Sequence, residues 1–233
     1  MSNIQPIAFF RSPLPQKFGL PRQSGLVESL EGRIEFEPKY RTPDALRGLD
    51  GFDYIWLIWG FNLNPSSEFS PTVRPPRLGG NERVGVFASR SPFRPNGLGL
   101  SSVKVLGIDW ERCEIIVAGA DLADGTPIYD IKPYVAYCDS HPGARSGFAD
   151  AREWQRLEVR VASPELESAL LKALGEHPLR ALLGVLAEDP RPQYHDDPAK
   201  EYGLSFGGYN VRFKVKGTVL IVLAISPEPQ DPS

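Results

Sequence analysis

The 233-residue chain is poor in the residues that build metal centres and disulfide frameworks. It has two cysteines, Cys113 and Cys138, and three scattered histidines, His141, His177 and His195. Neither set has metal-ligand spacing, so a zinc pattern is absent and no metal is expected. Both cysteines lie in strand-like apolar contexts, where buried free thiols in a reducing cytoplasm are expected. No apolar run approaches the roughly 20 residues of a membrane span, so no membrane association is expected. The start, MSNIQPIAFFRSP, lacks a basic stretch followed by a long apolar one, so no signal peptide is expected. Glycine-rich dinucleotide and P-loop motifs are missing, as is a G-x-S-x-G nucleophile elbow. The net charge of −3 excludes a generic polyanion binder. Any nucleic-acid surface must therefore come from a local concentration of basic residues.

One segment has that concentration. Residues 73–100, VRPPRLGGNERVGVFASRSPFRPNGLGL, carry Arg74, Arg77, Arg83, Arg90 and Arg94 among four prolines, with glycines at 79, 80, 85, 97 and 99. Proline fixes φ and removes a donor, while glycine permits positive φ and close backbone approach. The mixture predicts a shaped, rigid loop around a short strand. Arginines on such a frame present planar forks of donors suited to phosphate and carboxylate.

The remaining chain divides by character. Residues 4–10, 52–63, 83–88, 100–109, 113–120, 128–131 and 134–137 read as strands, with Trp110-Glu111-Arg112 turning a hairpin. Many short strands with frequent turn signals, and almost no helix-period segment between them, predict a closed or nearly closed β structure over residues 1–140. Residues 141–152 read as a linker. Residues 153–233 read as a small α+β domain: a strand at 157–161, a helix capped by Ser163 with Pro164 at its first position, a second helix opened by Pro178 over 179–187, and a hairpin of 209–215 and 218–225 around Lys216-Gly217. Leu166, Leu170, Leu171 and Leu174 mark the apolar face of the first helix.

The acidic clusters are Asp121 and Asp124 in ADLADGTP, Asp130 in YDIKPY, and Asp139. Asp124-Gly125 before Thr126-Pro127 is a turn signature. Lys132 shares a strand side with Asp130 and is placed to neutralise it. Turns with ion pairs, or a ligand-contacting Asp124 loop, account for these carboxylates better than a metal. Pro21-Arg22-Gln23 and Asp189-Pro190-Arg191-Pro192 with Tyr194 are either surface turns or rigid platforms for an unpaired RNA base.

The motifs VRPPRLGGN, GVFASRSPFRPN, DGTPIYDIKPY and DPRPQY together resemble the TrmO (YaeB-like) family, from Ile7 to about Ile225. These are S-adenosylmethionine-dependent tRNA N6-methyltransferases acting on threonylcarbamoyladenosine at position 37. The resemblance implies a single-sheet β-barrel without a Rossmann fold, a homodimer with cofactor near the subunit interface, and a cytoplasmic enzyme. By motif, it implies cofactor contacts at Pro21, Arg22, Gln23, Asn62, Leu63, Arg90, Leu100, Leu122, Ala123, Asp124 and Gly125. Asn62 departs from the family's usual histidine. Arg74, Arg77 and Arg94 are the expected contacts to anticodon-loop phosphates, with Arg191 and Tyr194 of the small domain near the target nucleotide. No catalytic base is assigned: Asp124 is the carboxylate nearest the matched cofactor residues, and holding the ribose is its other role. Two further readings remain open at this stage, a methyltransferase for another acceptor and a non-catalytic RNA-binding adaptor.

Overall fold

The computed structural model describes residues 4–64, 69–75, 82–151, 155–192 and 197–229. Six strands close a barrel in the order β1-β2-β7-β6-β3-β8. They are β1 (Ala8–Arg11), β2 (Glu31–Phe36), β3 (Tyr54–Gly60), β6 (Leu98–Asp109), β7 (Glu114–Ala118) and β8 (Pro127–Pro133). All barrel pairs are antiparallel, and β1 meets β8 at Ala8↔Ile128 to close the ring. Alternation sends one face of each strand inward. Phe10, Ile34, Ile55, Leu57, Val103, Ile115, Val117 and Ile128 therefore fill the interior, all almost fully buried. The short helix α1 (Pro43–Leu46) contributes Leu46 to the same core. Two-residue strands β4 (Thr72–Val73) and β5 (Val84–Gly85) form a ribbon outside the barrel, within the arginine-rich region.

The C-terminal part is a second layer. Strands β9 (Glu158–Val161), β10 (Glu201–Phe206), β11 (Tyr209–Lys216) and β12 (Val219–Pro227) form a mixed sheet in the order β10-β11-β12-β9, covered by α3 (Pro164–Leu174) and α4 (Glu176–Ala187). Ser163 caps α3 through its hydroxyl, which accepts from Leu166 N at 3.2 Å. Leu170, Leu182, Val185 and Leu186 pack on the inner face of the sheet, against Phe206, Val211, Phe213 and Val222. This core also contains Leu14, Val27 and Leu30 from between β1 and β2. Residues 12–30 thus form a strap that starts and ends on the barrel and is buried in the C-terminal layer.

Several local expectations shift. The first strand begins at Ala8, not residue 4. Residues 83–88 give only β5 and a 3-10 turn, Val86–Ala88. Residues 134–137 are not a strand: β8 stops at Pro133, and α2 (Ala136–Asp139) follows as one helical turn. There the Asp139 carboxylate accepts from Val135 N at 2.8 Å and from Trp56 Nε1 at 3.0 Å, bending the chain off the barrel. Cys138 sits in that turn and is exposed, whereas Cys113 is buried. The second C-terminal helix starts at Glu176, so Pro178 falls within the first turn, where its missing N–H has no partner to lose.

Candidate functional site

The matched positions collect at one barrel rim. β3 ends at Gly60, and Phe61, Asn62 and Leu63 follow it. Trp59, the last large residue of β3, lies beside a register shift between Ile58 and Trp59 against β8, a bulge that re-aims its side chain. Its indole covers Gly99 of β6 so closely that a Cβ there would meet Trp59 Cε2 at 2.3 Å. Only glycine allows this approach. In that position Trp59 Nε1 donates to Ser101 Oγ at 2.9 Å, and Ser101 Oγ donates to Asp121 Oδ1 at 2.6 Å.

Asp121 sits in the β7–β8 loop. Burial pushes its carboxyl above the usual aspartate value, opposed by the Ser101 hydroxyl, its own amide, the Arg90 charge and the Ser24 amide. The Ser24 amide and the Arg90 charge thus act on the same carboxylate from two other segments. Arg90 Nη1 also donates to Gln23 Oε1. Gly25 N donates to Gly119 O at 2.7 Å, fixing the strap to the start of the loop.

The 122–125 turn is built largely from its backbone. Leu122 and Ala123 are buried, so their side chains serve the core and only main-chain groups can face a ligand. Gly125 has φ +72°, and Thr126 N donates to Ala123 O at 3.3 Å to close the turn. Asp124 N and Gly125 N donate to Leu14 O and Phe10 O, while Asp124 Oδ1 accepts from Ser12 N at 3.0 Å. Asp124 Oδ2 lies 4.0 Å from Arg11 Nη1. Asn62 ties β3 to this turn: its Nδ2 lies 3.4 Å from Gly125 O, and its Oδ1 accepts from Thr126 Oγ1 at 3.3 Å. An amide presents a donor and an acceptor at once, so asparagine makes this bridge without an ionisable ring.

The contacts form two groups, Gln23 with Arg90 on one side and Asn62, Gly125 and Asp124 around the turn on the other, with Pro21 buried and Arg22 half-buried beside Gln23. Leu63 is 38% exposed next to Asn62. Leu100 stands apart: it pairs with Ile58 across β3–β6, and alternation turns it to the outer barrel face, opposite Ser101, where it is 57% exposed. Clefts of about 630 and 400 Å³ lie between the strap and α4 and beside α1. The sequence reading missed the support beneath the network, Trp59, Ser101, Asp121 and Ser24. Asp121 was visible in ADLADGTP, but its partners are 20 to 97 residues away in sequence, and no local pattern carries them.

The proposed RNA contacts divide. Arg74 is exposed. Arg94 is half-buried, and its guanidinium spends Nε on Ser91 O (3.0 Å) and Nη2 on Ser89 O (2.5 Å) and Val86 O (3.3 Å). It braces its own loop. Arg191 forms a bidentate pair with Asp189 at 2.8 and 2.9 Å, held by a positive φ at Asp189. In this conformation both arginines hydrogen-bond within the protein, Arg94 to its own loop and Arg191 to Asp189. Arg77 and Tyr194 lie outside the described residues. Lys132 Nζ pairs with Asp130 Oδ2 at 2.8 Å, so that carboxylate is neutralised as expected. Among the described residues, no group of three or more His, Cys, Asp or Glu is arranged to hold a metal ion, and no helix is long and apolar enough to cross a membrane.

Fold and rim together define a small closed-barrel protein with a polar cluster beside β3 and an α/β layer strapped to it. The family model of the tRNA-methyltransferase O N-terminal domain matches residues 9–140, and that of the TrmO C-terminal domain matches 155–228. The chain belongs to the tRNA-methyltransferase O family. It is 39% identical over 235 residues to a tRNA (adenine(37)-N6)-methyltransferase of Escherichia coli, covering 97% of this chain and all of that protein. A protein of the same name from Eikenella corrodens is 43% identical over 180 residues, 76% of this chain and 99% of that protein. The crystal structure of TrmO from Pseudomonas aeruginosa superposes with a TM-score of 0.80 at 29% identity, covering 97% of this chain and 98% of that one.

Proposed function

We propose that this chain is an S-adenosylmethionine-dependent methyltransferase that modifies N6 of the adenine at position 37 of tRNA, in its threonylcarbamoyl form. The observation that carries the reading is the convergence of Gln23, Asn62, Arg90, Asp121 and Asp124 at one rim of a family barrel. Their chemistry fits the cofactor. Arg90 suits its carboxylate, Asp124 and Asn62 suit ribose hydroxyls, and the backbone of residues 122–125 suits adenine. Leu63 and Phe61 supply apolar walls, and Asp121 is a nearby negative charge for the cationic centre. When bound, S-adenosylmethionine supplies an electrophilic methyl group on a sulfonium.

The protein's own tasks are alignment and exclusion of water. Arg90, held on Gln23 and facing Asp121, fixes one end of the ligand. Asn62 and the 122–125 turn fix the other. The acceptor N6 must also lose its proton. Asp121 already accepts from the Ser101 hydroxyl. Asp124 Oδ2 is the better placed carboxylate, either for that proton or for the ribose. Asp124→Asn separates the two roles: loss in kcat at constant cofactor affinity marks the proton, and weakened cofactor binding marks the ribose.

The exposed Leu63 and Leu100 favour a contact with a second copy, so a cytoplasmic homodimer is part of the proposal. For tRNA, Arg74 and Arg77 are the phosphate contacts, with Tyr194 near the target base. Arg94 and Arg191 act mainly by shaping their loops. The test is nucleoside mass spectrometry of tRNA carrying threonylcarbamoyladenosine after incubation with protein and S-adenosylmethionine. The modified nucleoside should gain one methyl group, only with cofactor present. No gain with cofactor bound points to another acceptor, and no gain without binding points to an adaptor.

A further inference from the structure

Residues 21–25 supply part of the rim, and the segments on either side of them are anchored in the C-terminal layer. On the upstream side Phe18 joins a trio of near-parallel rings with two residues of the C-terminal sheet, its centroid 6.5 Å from Tyr202 and 6.4 Å from Phe213 at interplanar angles of 13° and 16°, while Tyr202 and Phe213 are 5.5 Å apart. Gly19 follows at φ +92°, and a Cβ there would lie 2.3 Å from Leu204 Cδ1. The backbone thus lies directly on β10 in a conformation that favours glycine. On the downstream side Val27 is buried against α4, where Gly184 makes room: a Cβ at Gly184 would sit 2.8 Å from Val27 Cγ1. Arg156, paired with the buried Glu188 at 2.6 Å, also donates to Leu26 O. Gly207 N donates to Pro13 O at 2.8 Å.

The same strap reaches the rest of the rim. Lys17 Nζ donates to Asn64 Oδ1 at 2.6 Å beside Asn62 and Leu63, and Leu14 O accepts from Asp124 N. Gln23 meets Arg90, Ser24 meets Asp121, and Gly25 meets Gly119. Two anchors in the C-terminal layer therefore bracket the loop that touches Arg90 and Asp121.

We infer that the C-terminal layer positions the ligand loop at residues 21–25 through Phe18, Gly19 and Val27, which are positioning residues for the barrel site although they pack away from the rim. The consequence for cofactor affinity rests on the functional reading above; the placement of the loop does not. Packing of this kind sets how often a segment opens, so loss of an anchor raises local opening without unfolding the barrel.

The experiment uses the full chain with Phe18→Ala, Phe18→Leu and Tyr202→Leu, the last keeping apolar volume while removing one of the two rings on which Phe18 stacks. Amide exchange at Gly25, whose N–H bonds Gly119 O, is compared with Ile115 and Val117 inside the barrel. Phe18→Ala should speed exchange at Gly25 by about tenfold or more, leave the barrel amides unchanged, and be largely rescued by Phe18→Leu. S-adenosylmethionine affinity should fall by about tenfold in the same variant while KM for tRNA stays put. Should Phe18→Ala fail to fold, Tyr202→Leu carries the test. Unchanged exchange at Gly25 in a folded variant overturns the inference, and so does faster exchange with undiminished cofactor affinity. If the wild type binds no S-adenosylmethionine, the functional reading fails, and the exchange result alone decides whether the C-terminal layer holds the loop.

Discussion

The barrel core and the C-terminal core are closed by different means. The buried residues of the barrel interior, from Ala8 to Ile128, come from the strands of one closed sheet and the segments that connect them, α1 included. The C-terminal core draws on α3, α4 and its own sheet, and is then completed by Leu14, Val27 and Leu30 from the opposite end of the chain. A closed sheet has no edge and encloses its own inner face, so that core needs little from elsewhere. A four-stranded sheet with two helices on it leaves apolar surface over, and here the strap covers it. The part of the chain that bears Gln23 and Ser24 is thereby placed by the layer farthest from it in sequence.

The largest expected effect comes from cutting that dependence. Residues 155–233 expressed alone should give no cooperative melt. The fragment loses the burial of Leu14, Val27 and Leu30, worth about 1.5–3 kcal/mol for each side chain, and of Phe18 besides. A sharp thermal transition in the isolated fragment would break the comparison. Next in size, Leu57→Ala in the barrel and Leu204→Ala in the C-terminal sheet should each cost about 2–5 kcal/mol in urea unfolding, both sites being fully buried. Because the strap joins the cores, both variants should shift a single transition; two separated transitions would show the cores to be independent.

A smaller effect is expected at Asp121. Its folded carboxyl holds a proton more tightly than the unfolded one, so stability falls as pH rises from the ordinary aspartate value through the raised folded value, and stays lowered above it. Asp121→Asn, whose Oδ1 can still accept from Ser101, should therefore be more stable than wild type at pH 7. The advantage should shrink as pH drops into that window, read by urea melts across pH. The smallest is Ser163→Ala, which removes the cap of α3 and should cost about 1 kcal/mol with no change in cofactor binding.

The sequence made some of this legible and hid the rest for physical reasons. The run of β3 and the β6–β7 hairpin were readable because dense β-branched and aromatic residues alternate around clear turns. Glu31–Phe36 was not, since EGRIEF puts Glu31, Arg33 and Glu35 outside and only Ile34 and Phe36 inside, leaving no apolar run. Glu201–Phe206 was hidden likewise by its short length and central glycine. The helix caps at Ser163 and the turn at Asp124-Gly125 are local, and local chemistry announces them. Resemblance to a family supplied the rim residues; their support could not be read, because Trp59, Ser101, Asp121 and Ser24 meet only after the barrel closes. The arginines of the proline-glycine loop were correctly seen as unusual. That Arg94 would turn inward onto Ser89 and Ser91 depends on the curl of the backbone, which side-chain type does not specify.

The most direct test of the rim as the cofactor site is a calorimetric titration of S-adenosylmethionine into the wild type and into Arg90→Ala. Arg90 is exposed, so its removal should leave the melting temperature close to that of the wild type. A single class of site in the wild type, weakened about tenfold or more in Arg90→Ala, is the expected result. No binding to the wild type, or equal binding to both proteins, would contradict it.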